Sequence, residues 1–178
     1  MKRHHLQRKL AQYFTEDPHE AQMLKRIVDF VATYPDCFER SLAVGHVTGS
    51  AWIVDQSRSH VLLTHHRKLD RWLQLGGHSD GDPDTLAVAL REGREESGLD
   101  CIRVLSDEVF DVDVHYIPER KHESGHFHYD VRFLFEADRD APLQLSRESK
   151  DLAWVPLGKV AELAPEESIL RMLRKVGG

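Results

Sequence analysis

A helical segment enclosed by β-rich runs is the feature that most constrains how this chain can fold. Over residues 84–97, small or apolar residues recur at i, i+3, i+4 and i+7 and define one core-facing side: Leu86, Ala89, Leu90 and Gly93. Because Gly93 has no side chain, we expect another element to pack closely against it. Strand-like runs on both sides of one central helix, with further helices at both ends of the chain, predict a layered α/β domain.

The other elements are predicted from the same kinds of pattern. Strand-like runs cover residues 46–55, 60–65, 72–75, 102–117, 127–137 and 152–155. Asp17-Pro18 can cap and begin an N-terminal helix, and two weaker helical patterns close the chain at 159–163 and 166–176. We therefore expect residues 1–40 to form a helical lead-in that packs on a main domain of residues 41–178.

Three glutamates lie at helical spacing on the central helix. Glu92, Glu95 and Glu96 stand at i, i+3 and i+4, so they share one helix face that is rotated away from the apolar side. Like charges at this spacing cost roughly a few tenths of a kcal/mol per pair. A hard divalent cation such as Mg²⁺ or Mn²⁺ removes that cost. A solvated acidic surface is the alternative, and the glutamates taken alone favour it.

The residues that flank the glutamates favour the metal site instead. Gly76-Gly77 precede the helix and Gly98 ends it, and tight glycine loops expose N–H groups that can approach phosphate oxygens. Asp82-Pro83 is expected to start the helix, with the aspartate as its cap. Arg91 stands four residues before Glu95 and can hold that carboxylate in place.

The segment from Gly77 to Leu99 resembles the Nudix box, G-x5-E-x7-R-E-U-x-E-E-x-G-U, in which U is a bulky aliphatic residue. Seven positions match at the correct spacing: Gly77, Arg91, Glu92, Glu95, Glu96, Gly98 and Leu99. Two positions depart from it, since Pro83 replaces the first glutamate and Gly93 replaces an aliphatic residue. Asp82 or Asp84 is a candidate to substitute for that glutamate.

The resemblance implies a fold and an activity. The fold is a Nudix-like α/β/α sandwich with a mixed sheet, here with an added N-terminal helix. Glu92, Glu95 and Glu96 would bind Mg²⁺ or Mn²⁺, and Arg91 would orient a glutamate. The implied reaction is hydrolysis of a nucleoside diphosphate linked to another group, such as a nucleotide sugar, or of a nucleoside triphosphate.

Such a reaction needs a base and groups that contact the phosphates. Glu95 and Glu96 are candidates for the base, and so is Glu148, which lies in a polar loop before the last predicted strand. Candidates for contact with the substrate precede the central helix: Arg67, Lys68, Gly76, Gly77 and His78. An exposed loop acid and a solvated basic turn are the alternatives for Glu148 and for the pair Arg67-Lys68.

A histidine-rich segment lies near the second half of the predicted sheet. His126 and His128 alternate on a predicted strand, so their side chains share one face. With His115 and His122 close in sequence, a histidine metal site is conceivable, although the spacing is not a zinc signature. We favour a pocket wall that contacts the substrate, with half-buried strand histidines of no special role as the alternative.

The composition excludes several classes of protein. A net charge of −6 gives no sign of an extended nucleic-acid-binding surface, and no apolar run approaches the roughly 20 residues that span a bilayer. No apolar segment follows the basic N-terminus, so we expect no signal peptide. Cys37 and Cys101 lack CxxC spacing and are expected to be small apolar residues of a cytoplasmic protein. Trp52 and Trp72 are expected in the core. The expected partner is a small nucleotide, and a homodimer is possible.

Two other functions use the same fold. A non-catalytic module that senses a nucleotide metabolite often loses the box glutamates or carries a DNA-binding domain. Here Glu92, Glu95 and Glu96 are kept, and the lead-in of about 40 residues is too short and lacks a clear helix-turn-helix pattern. Isomerisation of isopentenyl diphosphate resembles a cysteine-plus-glutamate mechanism with a cysteine just before the box. Neither Cys37 nor Cys101 lies in residues 73–78, so we expect a hydrolase.

Overall fold

The computed structural model describes residues 2–119 and 124–177, and His122 lies outside these residues. The described part contains five α-helices: α1 (His4–Gln12), α2 (Pro18–Thr33), α3 (Thr85–Ser97), α4 (Val160–Leu163) and α5 (Glu167–Gly177). It also contains eight β-strands: β1 (Gly45–Asp55), β2 (His60–His66), β3 (Arg71–Leu73), β4 (Leu75–His78), β5 (Ile102–Val104), β6 (Asp111–Ile117), β7 (His126–Ala137) and β8 (Ser149–Pro156).

One mixed sheet with β1 at its centre joins these strands. β1 pairs in parallel with residues 127–137 of β7 along its whole length. Its other edge is divided, because residues 48–51 pair antiparallel with β4 while residues 53–54 pair antiparallel with β2. β3 and β8 extend the sheet from β2, and β5 and β6 extend it from β7. The division of the edge places β4 directly beside the first half of β1.

Side chains of β1 alternate between two apolar layers, as the pleat of a strand requires. Val47, Ala51 and Ile53 are fully buried in a core shared with α1, α2 and α3. Trp52 and Val54 are buried on the opposite face, in a second core shared with α4 and α5. The predicted α/β/α arrangement with a mixed sheet and an N-terminal helix is therefore confirmed, as is the core position of Trp52.

The N-terminal helices are fastened to the sheet. Asp17 caps α2 as predicted, since its side chain accepts from His19 N at 2.9 Å and from Glu20 N at 3.0 Å. The Glu20 side chain is fully buried and accepts from Val112 N of β6 at 3.2 Å. The division into a lead-in of residues 1–40 and a main domain of residues 41–178 stays a prediction.

The run 102–117, predicted as one strand, is two strands, so that prediction is wrong. β5 and β6 both pair antiparallel with β7, and the residues between them form a bulged loop. Leu105 N donates to Leu134 O at 3.1 Å and Phe110 N donates to Arg132 O at 2.9 Å. The residues from Leu105 to Phe110 therefore lie opposite only the short stretch from Leu134 to Arg132 of β7. The loop turns where Ser106 Oγ accepts from Glu108 N at 3.1 Å.

The predicted strand 72–75 is also wrong in its extent, because the chain changes partner there. β3 pairs with β2, whereas β4 pairs with β1 and continues through Gly76 and Gly77 to His78. The sequence predicts a loop at these two glycines, because a glycine pair is typical of turns. They lie instead in an extended strand that faces a helix at close range.

The cap of α3 lies two residues after the predicted one, whereas the helix begins within one residue of its predicted start. Asp84 is the cap, since its Oδ1 accepts from Ala87 N at 3.1 Å. Asp82 Oδ1 accepts from Asp84 N at 2.9 Å, and Pro83 lies before the helix. The predicted end is right: Gly98 has a φ of +71°, and its N–H donates to Arg94 O at 2.8 Å.

The predicted core-facing side of α3 is confirmed. Ala89 is fully buried, and Leu86 and Leu90 are half-buried against the first core. A Cβ on Gly93 would lie 3.3 Å from Ile53 Cδ1, which is closer than most Cβ contacts. The lack of a side chain at Gly93 therefore allows the helix to lie close to the sheet.

Candidate functional site

Two opposed glycines set the distance between α3 and the sheet. Gly49 of β1 and Gly77 of β4 are paired residues, and both face the helix. A Cβ on Gly49 would lie 2.7 Å from Thr85 O, and a Cβ on Gly77 would lie 2.3 Å from Glu92 Oε2. Any side chain at these two positions would hold the helix farther away. The close approach brings the glutamates of α3 onto β4.

The three glutamates are not equally exposed. The side chain of Glu95 is 65% exposed and that of Glu92 is 17% exposed, while Glu96 is buried. The shared face is therefore not uniformly exposed to solvent, because Glu96 is buried against β4. Helical spacing fixes the angle of a side chain around its own helix, but the neighbouring strand decides whether that angle points into water.

Arg91 connects the Glu92 carboxylate to β4. Its Nη2 donates to Glu92 Oε1 at 3.0 Å and to His78 O at 2.9 Å. The predicted pair with Glu95 is present but longer, with 4.0 Å between Arg91 Nε and Glu95 Oε1. Burial raises the pKa of the Glu92 carboxyl, and the hydrogen bond from Arg91 opposes that rise.

Glu96 is anchored by the backbone of β4. Its Oε2 accepts from Gly76 N at 2.8 Å. Burial raises the pKa of the Glu96 carboxyl to about 8; the Gly76 N–H opposes the rise, and the charges of Glu92, Glu148 and Glu95 add to it. The charge of Glu148 acts on Glu96, which places the Glu148 side chain in the neighbourhood of the box carboxylates.

The loop that carries Glu148 is held by Arg67. Arg67 N donates to Glu148 O at 2.8 Å, and its side chain donates to Arg147 O at 3.1 Å and to Ser149 O at 2.8 Å. The guanidinium predicted to contact phosphate therefore binds backbone carbonyls. Lys68, predicted for the same role, is exposed beside it, and the side chain of Glu148 is also exposed.

The carboxylates fit a hard divalent cation. Their oxygens are the ligands that Mg²⁺ and Mn²⁺ prefer. The space above Gly77 is occupied by the Glu92 carboxylate itself, so the strand is shaped to receive that group. Two poorly solvated carboxylates with raised pKa values gain from a nearby positive charge beyond that of Arg91.

A second polar group lies on the other face of β4. Residues paired across a sheet point to the same face, and His78 is paired with Thr48, whereas Gly77 is paired with Gly49 and faces α3. The ring of His78 therefore points away from α3. It lies 5.0 Å from the ring of His46, centroid to centroid.

The histidines of β7 join this group. His126 and His128 share a face as predicted, and His128 is paired with His46 of β1 and with His115 of β6. Burial lowers the pKa of His128 to about 2, and the neighbouring histidines His115, His78, His46 and His126 lower it further. Burial also lowers the pKa of His46 to about 3, helped by His78 and His126.

His46 is a member of this face that the sequence analysis missed, and Asp130, a candidate pocket group from the sequence, is another member. Asp130 is buried and accepts from Thr48 Oγ1 at 2.8 Å, from Ser50 Oγ at 2.7 Å and from Arg132 Nε at 2.8 Å. One signal was available, because polar residues at every second position from His46 to Ser50 interrupt an otherwise apolar strand.

A match to the family model of the NUDIX domain covers residues 45–175. The chain belongs to the NUDIX domain family. The predicted enzyme class, a Nudix-type hydrolase that acts on phosphoric anhydride bonds, is thereby confirmed. The match begins at the first residue of β1, so α1 and α2 precede it.

Relatives with assigned activities lie in the same family. The bis(5'-nucleosyl)-tetraphosphatase [asymmetrical] of Rattus norvegicus is 27% identical over 116 residues, which cover 65% of this chain and 76% of that protein. A C. elegans Ap4A hydrolase structure, a binary complex, superposes with a TM-score of 0.59 at 20% identity, covering 74% of this chain and 94% of that one.

The E. coli dihydroneopterin triphosphate pyrophosphohydrolase has the same fold. It superposes with a TM-score of 0.56 at 15% identity, covering 72% of this chain and 92% of that one. At such identities the structural likeness shows the fold alone. Among the helices of the described residues, none has the length and apolar character that crossing a membrane requires.

Proposed function

We propose that this Nudix protein is a Mg²⁺- or Mn²⁺-dependent pyrophosphohydrolase that acts on a nucleoside diphosphate linked to another group or on a nucleoside triphosphate. The proposal rests on one observation: the carboxylates of Glu92 and Glu96 lie directly against the backbone of β4. Two carboxylates held in place against glycine backbone make a preorganised set of oxygen ligands. A solvated acidic surface would not bury Glu96 or require glycine at position 77.

Each box residue has a distinct task in this proposal. Glu92, Glu95 and Glu96 would hold the metal, which neutralises phosphate charge and lowers the pKa of water. Arg91 keeps Glu92 on β4 through its bond to the carbonyl of His78. The N–H of Gly76 orients Glu96.

The base is proposed to be Glu148, with Glu95 and Glu96 as the other candidates. The side chain of Glu148 is exposed, and its charge acts on the Glu96 carboxyl, which supports a place near the proposed metal ligands. Arg67 supports this role by binding the backbone of the loop on both sides of Glu148. A carboxylate in this position can accept the proton of an attacking water molecule.

The relatives indicate which substrates to test first. The rat relative is named as an asymmetrical bis(5'-nucleosyl)-tetraphosphatase, and a dinucleoside tetraphosphate belongs to the proposed substrate class. Nucleotide sugars, ADP-ribose and nucleoside triphosphates complete the panel. Homodimer formation and a cytoplasmic location also stay predictions, which light scattering and cell fractionation test.

Turnover of this panel with Mg²⁺, Mn²⁺ or EDTA tests the proposal. Replacing Glu95 and Glu96 together with Gln should lower turnover of the best substrate at least ~100-fold, because ligands and candidate bases are lost. Glu148→Gln should lower kcat while Mn²⁺ affinity stays unchanged. Glu162→Gln, an exposed change on α4, is the matched control and should retain full activity.

Three results would contradict the proposal. Turnover that persists in EDTA, or in the Glu95→Gln/Glu96→Gln variant, would remove the metal-dependent mechanism. Metal-dependent binding of a nucleotide without any product would favour the non-catalytic sensor instead. Isomerisation of isopentenyl diphosphate would favour the third function, although Cys37 is buried and lies outside β4.

A further inference from the structure

Three strands converge with one histidine each on the face of the sheet that is turned away from α3. His46 of β1 is paired with His128 of β7, so the two side chains stand next to each other. His78 of β4 is paired with Thr48, two residues beyond His46 on the same face. The ring centroids of the three histidines lie 4.8 to 5.0 Å apart.

His46 has no partner that explains its place in the interior. Its residue surface is 2% exposed, and neither ring nitrogen has a hydrogen-bond partner among the described residues. A buried polar group without a partner costs about 1–3 kcal/mol. The rings of His78, His126 and His128 lie 4.8 to 5.0 Å from that of His46, and one shared ligand would satisfy such a group of imidazoles.

The nitrogen atoms are close enough to share one ion. One ring nitrogen from each of His46, His78 and His128 lies within 4.8 Å of the other two. Ligand nitrogens on a tetrahedral Zn²⁺ are ~3.3 Å apart, since each Zn–N bond is ~2.0–2.1 Å. Side-chain rotations close that difference, because the three ring centroids already lie 4.8 to 5.0 Å apart.

His126 has the hydrogen bond that is typical of a metal-binding imidazole. Its Nδ1 lies 2.8 Å from Ser124 O, so a proton on Nδ1 places the lone pair of that ring on Nε2. That Nε2 lies 3.2 Å from His128 Nε2, a separation that matches two neighbouring ligands of one tetrahedral ion. His126 therefore stands beside the fourth ligand position.

We propose that His46, His78 and His128 bind a divalent transition metal of the Zn²⁺ type, at a site separate from the box carboxylates. Imidazole nitrogens suit Zn²⁺, Co²⁺ and Ni²⁺, whereas Mg²⁺ and Mn²⁺ suit the oxygens of the glutamates. The two sites lie on opposite faces of β4. The histidine site fixes β4 to β1 and β7, and β4 supplies the Gly76 and Gly77 backbone against which the glutamates are seated.

Co²⁺ absorption spectroscopy of the full chain in excess Mg²⁺ tests this proposal. Tetrahedral Co²⁺ with nitrogen ligands absorbs strongly in the visible range, whereas octahedral Co²⁺ with oxygen ligands absorbs weakly. Wild-type protein should bind one Co²⁺ with the strong bands, and one equivalent of Zn²⁺ should abolish them. Zn²⁺ should also raise the unfolding temperature, because it binds only the folded chain.

Two ligand variants and one matched control make the result specific. His46→Gln and His78→Ala should lose the strong bands and weaken Zn²⁺ binding by more than the roughly 10- to 100-fold caused by loss of an outer partner. His78→Ala keeps the backbone pairing with Thr48, so it decides the matter if His46→Gln does not fold. His60→Gln should behave as wild type, because His60 contacts Asp55, ~30 Å along β1 from His46.

The proposal fails if wild-type protein shows only the weak octahedral bands, or if His78→Ala binds Co²⁺ and Zn²⁺ as tightly as wild type. Neither result bears on hydrolysis, which is assayed separately through the glutamate variants. Conversely, loss of hydrolysis in those variants with the strong Co²⁺ bands retained would support two separate sites.

Discussion

Gly49 and Gly77 face each other across the β1–β4 ladder, yet a methyl group at each would meet a different kind of neighbour. At Gly77 the obstacle is the carboxylate end of the flexible Glu92 side chain, 2.3 Å from the added Cβ. At Gly49 it is the backbone of α3, with Thr85 O at 2.7 Å and Ala89 N at 3.0 Å. A side-chain end can move aside, whereas a helix backbone cannot move without its whole element.

The two alanine variants should therefore fail in different ways. We expect Gly77→Ala to lower turnover by about 10- to 100-fold, as loss of a group that orients a metal ligand does, with little change in the free energy of unfolding. Gly49→Ala should lower the free energy of unfolding by about 1–3 kcal/mol through overpacking. Urea unfolding and steady-state kinetics measure both, and equal effects of the two variants on both quantities would contradict the argument.

At the scale of elements, α3 places its glutamates against β4 only while its first turn stays helical. Asp84 caps that turn by accepting from Ala87 N, and Gly98 ends the helix in a left-handed conformation. Asp84→Ala should lower the free energy of unfolding by about 0.5–2 kcal/mol, while Asp84→Ser keeps a cap of similar strength. Thermal unfolding of both variants checks this. An alanine variant as stable as the serine variant would show that Asp84 is not the cap.

For the whole molecule, a buried ion-pair network ties the last helix to the sheet. Arg132 of β7 lies 3.2 Å from Asp111 Oδ1, 3.4 Å from Asp113 Oδ2 and 2.8 Å from Asp130 Oδ2. Arg171 of α5 donates to both oxygens of Asp111, at 2.8 and 2.7 Å. Such pairs stabilise a fold only while the carboxylates are ionised.

The network predicts acid sensitivity. Burial raises the pKa of Asp113, but the hydrogen bond with His115 and the charges of Arg132 and Arg171 hold it well below its ordinary 3.8. A carboxyl with a depressed pKa stabilises the fold at a pH above its ordinary pKa. This stabilisation is lost as the pH falls below that pKa. The free energy of unfolding should therefore decrease below about pH 4.

Asp113→Asn isolates this contribution. At pH 7 we expect a loss of about 1–3 kcal/mol, because buried Arg132 loses one carboxylate partner while Asp111 and Asp130 remain. The difference from wild type should shrink as the pH falls below about 4. Asp107→Asn, an exposed change in the loop between β5 and β6, is the control and should follow the wild-type curve. Urea unfolding across this pH range measures the effect. Parallel curves for Asp113→Asn and wild type would contradict it.

The sequence by itself determined the family, the enzyme class and the element that carries the box. Helical periodicity, Gly98 and the register from Gly77 to Leu99 are local features, so they can be recognised without knowing what packs nearby. The end of α3 and the cap of α2 at Asp17 were predicted correctly for the same reason. The position of the α3 cap was wrong, because two aspartates beside Pro83 offered equivalent local signals.

Only the tertiary structure decided how these residues are used. The opposed glycines of β1 and β4 bring α3 so close that Glu96 is buried, and Arg91 turns mainly to Glu92. Independently of α3, Arg67 binds the loop of Glu148. The strand register brings His46 to His78 and His128, which lie more than 30 residues apart in the chain. Distances between elements and pairing across strands are non-local properties, and no pattern within one segment records them.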